Sequence, residues 1–290
     1  MILTNSSAAK VGGSNVTAIA SATASFRQLM CYLSTTISTA LTGTRGLIKN
    51  GVGQLTLSGN CTYTGQTQIN QGSLLLTGQS ILNGVISGAG TLAKSGSLPI
   101  TLGGNNTYSG GTNYSSSSAT ATITFSSGNA FGTGAVTCNG PCQIITANAV
   151  TLPNNFAINS STLQFRTNGA QTYTISGNIS GAGNVNKTGT GTVVLSGTLT
   201  YTGSTTITSG NLRAFKTTGA STATATFNNN GTTTVLSVSF NVSPPSGVTT
   251  FRFFQSSTTG TWTIGTLTGV PGGTTATYNS TNSTLSVTVP

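Results

Sequence analysis

Apolar and polar residues alternate in short runs along most of the chain, as in QLTLSG around Leu55, TVVLSG around Val193 and TLSVTV near the carboxyl end. Alternation with a period of two over four to six residues marks a strand with one buried face. The runs stop at Gly, Asn or Ser, residues suited to tight corners. The chain therefore reads as many short strands, each too small to bury a core alone.

The strands recur in a fixed frame. Three marks, KNG at Lys49, KSG at Lys94 and KTG at Lys187, are each followed by an apolar strand, LTLSG, ITLGG or VVLSG. TYTG, TYSG and TYTG then follow around Tyr63, Tyr108 and Tyr201, always 14 residues after the lysine. Upstream of the second and third copies, GVISGAGTLAK and GNISGAGNVNK match at Ile86/Ile179, Gly88/Gly181, Ala89/Ala182 and Gly90/Gly183. Units of this kind gain stability by stacking, each backbone strand pairing with the turn above and the turn below. Leu, Val and Ile would line a narrow interior, and Thr and Ser, which favour extended backbone, would cover the outside. The predicted architecture is all-β, a parallel β-solenoid.

Composition narrows the chemistry. The 290 residues include ten Lys and Arg but no Asp, Glu or His. General acid–base catalysis near neutral pH needs His or a carboxylate, and hard cations need carboxylate oxygens. Neither a catalytic residue nor a metal or cofactor site is expected, and enzyme activity is not. The formal charge of +10 raises the question of nucleic acid, which is bound by clustered Lys and Arg. Lys10, Arg27, Arg45, Lys49, Lys94, Arg166, Lys187, Arg213, Lys216 and Arg252 are instead scattered. They read as solvated cations that keep particles apart, with weak attraction to anionic cell-surface glycans as the second reading and no specific nucleic-acid partner. No run of 18 apolar residues occurs, so no membrane insertion by a helix is expected.

Residues 14–41 differ by containing no Gly. Ile19, Phe26, Met30, Leu33 and Ile37 step by three, four or seven, the spacing of one helix face. A helix is preferred, although the alternation Ala18, Ala20, Ala22, Ala24, Phe26 also fits a strand pair. Those five residues are the candidates for docking or oligomerisation, with an ordinary solenoid cap as the plain alternative. Among four cysteines, Cys138 and Cys142 flank Asn-Gly-Pro, strong turn material. They could face each other at disulfide distance across a corner, or be two small buried thiols.

At LIKNGVGQLTLSGNCTYTGQTQINQGSLLL, residues 47–76, the chain resembles the autotransporter-associated β-strand repeat of bacterial passenger domains. TTITSGNL at 205–212 is similar to the closing part of that repeat, residues 129–158 resemble its inter-repeat segment, and residues 260–289 resemble the β module that ends many passengers. The resemblance covers residues 43–289 and implies a β-solenoid at a cell or particle surface. It suggests solenoid repeats at 43–220 and a β cap at 221–290, and the distinct segment before them is read as a docking or oligomerisation segment at 1–42. Family members usually carry a signal peptide and a membrane barrel or sorting tail. The amino terminus here lacks the charged and apolar regions of a secretory signal. On that ground a virion decoration or fibre protein, docked with copies of itself or other particle subunits, is the first functional reading. A cell-surface adhesin or passenger fragment is the second, and a self-assembling extracellular filament the third.

The missing carboxylates generate a prediction. Acid unfolds proteins mainly by protonating paired carboxylates and charging buried His. Apart from the terminal carboxyl, no group here changes charge between about pH 2 and pH 7. Thermal melts across that range at fixed ionic strength should agree closely; a midpoint falling by more than about 10 °C would contradict it.

Overall fold

The structure, a computed structural model, describes residues 9–11, 26–118, 120–159, 161–218, 221–229, 234–240, 246–252, 262–279, 281 and 284–290. The described residues contain no helix, and the chain winds as a parallel β-solenoid of about 9 turns. Two compact units divide it. One comprises Met1–Ile145 with Leu152–Ala157, the other Thr146–Thr151 with Ile158–Pro290.

In the first unit, short strands fall on three faces in rotation. Gly46–Asn50, Gln54–Leu57, Thr67–Ile69, Ser73–Leu76 and Ser80–Leu82 follow one another with corners between them. Leu47 lies opposite Thr67, Leu55 opposite Leu74 and Thr67 opposite Ile86, so one turn takes 19 or 20 residues. Alternation sets what each face buries: in Gln54–Leu57 and Ser73–Leu76 the even-spaced leucines point inward and the residues between them outward. Leu55, Leu74 and Leu92 thereby form a column through three turns, all fully buried. Phe125, Phe131 and Phe156 fill the interior further along, with ring centroids 5.5 and 6.3 Å apart.

The turns approach so closely that some corners admit no side chain. Gly65, Gly84 and Gly104 illustrate this: a Cβ on Gly84 would sit 2.3 Å from the carbonyl oxygen of Gly65, and one on Gly104 2.6 Å from that of Gly84. The Gly-terminated runs of the sequence mark these contacts.

The second unit also contains parallel-paired short strands. Thr162–Thr167 pairs in parallel with Asn184–Thr188, which pairs with Thr205–Ile207, and Thr172–Ile175 pairs with Thr192–Leu195. Pairing then changes character. Gly210–Thr218 is parallel to Thr192–Leu195 on one edge and antiparallel to Ser221–Asn229 on the other, which in turn is antiparallel to Thr234–Phe240. Thr284–Val289 forms a further antiparallel sheet with Gly247–Arg252 and Thr275–Asn279.

The helix preferred for residues 14–41 is not what the described part of that segment forms. Phe26–Cys31 is a strand, parallel to Gly46–Asn50 with Phe26 opposite Gly46, and Thr35–Ile37 is another, parallel to Gln54–Leu57. Ala9–Val11 pairs with Leu29–Cys31. The physical reason is the neighbouring turn. Its edge offers a complete set of main-chain partners to an extended strand, and the alternation in the sequence suits that strand as well as the three-four spacing suits a helix. Leu33 is 61% exposed and Ile37 is fully buried, so they share no face.

Removing inward bulk should cost far more than removing outward bulk. Leu74→Ala is expected to lower unfolding free energy by about 2–5 kcal/mol. Thr56→Ala, on the outer face, should change it by no more than about 0.5 kcal/mol. Urea titration followed by circular dichroism checks the difference.

Candidate functional site

The three Lys-x-Gly marks do not lie on the surface. Lys49, Lys94 and Lys187 are each fully buried, which overturns the expectation that every cation is solvated. An ammonium inside a protein needs partners, and this chain contains no side-chain carboxylate to supply one. The partners are main-chain carbonyls of the corner that follows. Lys49 Nζ donates to the carbonyl oxygens of Asn50 (3.1 Å), Gly51 (2.7 Å) and Gln71 (3.1 Å). Lys94 donates to those of Ser95 (2.6 Å) and Gly96 (2.9 Å). Lys187 donates to those of Thr188 (2.8 Å), Gly189 (2.7 Å) and Ser209 (3.2 Å), and to Thr167 Oγ1 (3.4 Å).

The glycine two residues on makes this possible. Gly51, Gly96 and Gly189 have φ of 78°, 74° and 77°, left-handed values that L side chains rarely adopt. That conformation turns the corner back so that its carbonyls face the ammonium. Gly51 is doubly constrained, since a Cβ there would stand 2.5 Å from the carbonyl oxygen of Cys31.

Each mark is the start of one complete turn. Lys49 lies opposite Ile69, Lys94 opposite Tyr114 and Lys187 opposite Ile207. Near the end of the same turn, the tyrosine hydroxyl meets a threonine four residues on: Tyr63 with Thr67 at 2.7 Å, Tyr108 with Thr112 at 2.6 Å and Tyr201 with Thr205 at 2.5 Å. All six side chains are buried. The repeated polar residues are therefore internal fasteners, each one satisfied by its own turn or the next.

Of the remaining sequence candidates, Cys138 and Cys142 are both buried thiols, at the two ends of one corner. The docking set is not assembled: Leu33 is exposed and Ile37 belongs to the core. Phe26 and Met30 lie on the strand that precedes them, and Ile19 falls outside the described residues. Among the described residues, no group of three or more His, Cys, Asp or Glu could hold a metal ion, and no helix is long and apolar enough to cross a membrane.

The outer faces carry a different pattern. In the second unit Gln164, Asn186 and Thr206 stand in one column, and Gln164 Nε2 donates to Thr188 Oγ1 at 2.9 Å while Thr208 Oγ1 donates to Asn186 Oδ1 at 3.1 Å. Hydroxyls and amides cover this face, with Arg166 exposed among them. Sequence reasoning missed the burial of the lysines. The signal available was the constant Lys-x-Gly and its fixed distance to the tyrosine, which a solvated cation has no reason to keep.

With this geometry in place, comparison with known proteins identifies the repeat. The chain carries the passenger-associated-transport-repeat, whose family model matches residues 47–76, 100–113 and 185–214. The two longer matches each contain a lysine corner and its tyrosine–threonine pair, and the short one contains the second pair. No curated protein and no solved structure matches the chain. The repeat family implies a cell-surface or extracellular location.

Burial lowers Lys94 and Lys187 from 10.5 to about 8, and lowers Lys49 as well. It raises Tyr108 and Tyr201 above 10.0, and Cys31 and Cys142 above 9.0. Above about pH 8 the folded lysines release protons that the unfolded chain still holds, so stability climbs with pH. From about pH 9 the unfolded thiols, and from about pH 10 the unfolded tyrosines, ionise while their folded counterparts do not, so stability falls. Melting temperature should thus rise from pH 7 to about pH 9 and decline beyond about pH 10, and Lys94→Met should flatten the rise. Lys187→Met, which strands three buried carbonyls, is expected to cost about 3–5 kcal/mol at pH 7 in urea titration.

Proposed function

We propose that this chain is the non-enzymatic coiled body of a passenger-type surface protein, holding an extended polar face outside the cell. The observation that carries the reading is what the copies share and what they do not. Thr67, Thr112 and Thr205 recur and point inward, while their outward neighbours are Gln68, Asn113 and Thr206. On the strand before the tyrosine, Thr56 and Thr101 face outward in the first two copies, where the third has the buried Val194. Repetition thus preserves the means of stacking in all three copies, while at these outward positions the residue differs from copy to copy on one strand and is shared by two copies on the other. A body of this kind supplies length and spacing, and its hydroxyl and amide rows offer hydrogen bonds to neutral polymers. With three lysines turned inward, it offers less charge to anionic glycans than composition suggests.

The passenger reading is supported by the matched repeat family. The virion decoration reading, first on sequence, receives no support from either the fold or the comparisons. Labelling of unpermeabilised source cells with an antibody to the chain, before and after treatment with external protease, tests the proposal. The chain is expected on intact cells or in the medium, with the cell-bound signal removed by protease. Recovery only from the cell interior, or only with purified virus particles, would overturn it.

A further inference from the structure

Cys138 ends the strand Val136–Cys138 and Cys142 begins the strand Cys142–Thr146. Burial alternates through Val136-Thr137-Cys138 and through Cys142-Gln143-Ile144, so that the two side chains point inward from either side of a single corner, Asn139-Gly140-Pro141. The corner is pinned to the turn before it. Asn139 N donates to the carbonyl oxygen of Tyr114 at 2.8 Å, Asn139 Nδ2 donates to Asn113 Oδ1 at 3.0 Å, and a Cβ on Gly140 would lie 2.0 Å from the carbonyl oxygen of Ser116. The distance between the two cysteines is thus set by strands and corner together rather than by chance approach. Both thiols are buried, directly beneath an exposed Asn139.

We infer that Cys138 and Cys142 form a built cross-linking site, closing to an intramolecular disulfide across this corner when the chain meets a small disulfide oxidant. With oxidised glutathione, the thiolate of one cysteine attacks the glutathione disulfide, giving a mixed disulfide and one glutathione thiolate. The second cysteine displaces the other glutathione. Two S–H bonds are lost and one S–S bond forms; the two electrons reduce the glutathione disulfide, and the two protons end on the two glutathione molecules. The two inward-pointing side chains start from the two ends of this short pinned corner, and glutathione reaches them while the corner is open, in refolding or in local opening of the folded chain. Cys31 and Cys61 lack this arrangement: Cys31 ends the strand Phe26–Cys31, whereas Cys61 is bridged to Leu41 and Ser80 on another face. The inference concerns the corner alone and stands whether or not the chain is a surface passenger.

The full-length reduced protein is incubated with oxidised glutathione in two arms, folded and during refolding from denaturant. Each is quenched in acid, alkylated with N-ethylmaleimide under denaturing conditions and peptide-mapped. The expected product in the refolding arm, and more slowly in the folded arm, is a Cys138–Cys142 bridge two hydrogens lighter than the dithiol, with Cys31 and Cys61 alkylated. The bridged form should melt about 4–8 °C higher, as expected for a short covalent ring, and dithiothreitol should reverse the shift. Cys138→Ser should show no oxidant-dependent shift. Persistent glutathione adducts, Cys31–Cys61 or interchain bridges in place of the expected one, no bridge in either arm, or an equal shift in Cys138→Ser would each overturn the inference.

Discussion

Main-chain hydrogen bonding from each turn to the next is the constraint on which the rest of this molecule depends. A solenoid has little interior, so its strands are held as much by their edges as by their side chains. Leu47 N donates to the carbonyl oxygen of Gln66, Thr67 N to that of Val85 and Asn70 N to that of Lys49, each at 2.8 or 2.9 Å. For such contacts to continue through the corners, successive backbones must come closer there than a Cβ permits. The glycine at Gly84 follows from that spacing, as does an outer face rich in Thr, which favours extended backbone.

Corners are also where the coil would fail. A tight turn directs carbonyl oxygens inward, away from both water and the ladder, and a buried carbonyl without a donor is expensive. The ammonium of Lys49 answers three of them at once, and that of Lys187 does the same. In most proteins a buried lysine is matched by a carboxylate. Here partial charges on several peptide groups stand in for one full charge, an arrangement that fixes the backbone and the side chain together.

Much of the fold was legible because alternation and turn residues report directly on local geometry. QLTLSG at Leu55 encodes which residues face inward, and the Lys-x-Gly frame encodes the period. What escaped was whatever depended on a neighbour supplied by the next turn. Lysine reads as a surface residue unless a partner is visible, and carbonyl oxygens belong to every residue and so leave no mark in a sequence. Residues 26–37 failed for a related reason. Phe26, Met30, Leu33 and Ile37 fit a helix face as well as Thr35–Ile37 fits a strand, and only the open edge of Gly46–Asn50 decides between them. That Cys138 and Cys142 stand at the two ends of one corner was visible, because Asn-Gly-Pro is turn material and fixes the local direction of the chain.

The position of the buried lysines limits how such a chain can grow by duplication. In its column each lysine is flanked by uncharged residues: Lys49 by Leu29 and Ile69, Lys94 by Leu76 and Tyr114, Lys187 by Phe165 and Ile207. Two lysine turns copied directly on top of one another would stack two ammonium groups about 4.8 Å apart, a repulsion of about 3–4 kcal/mol even at an effective dielectric constant of about 20. Tandem copies of the single-turn unit are therefore self-limiting. A copied segment that brings a lysine-free turn with it avoids that repulsion, and the uncharged turns between the lysine marks keep the buried ammonium groups from stacking directly.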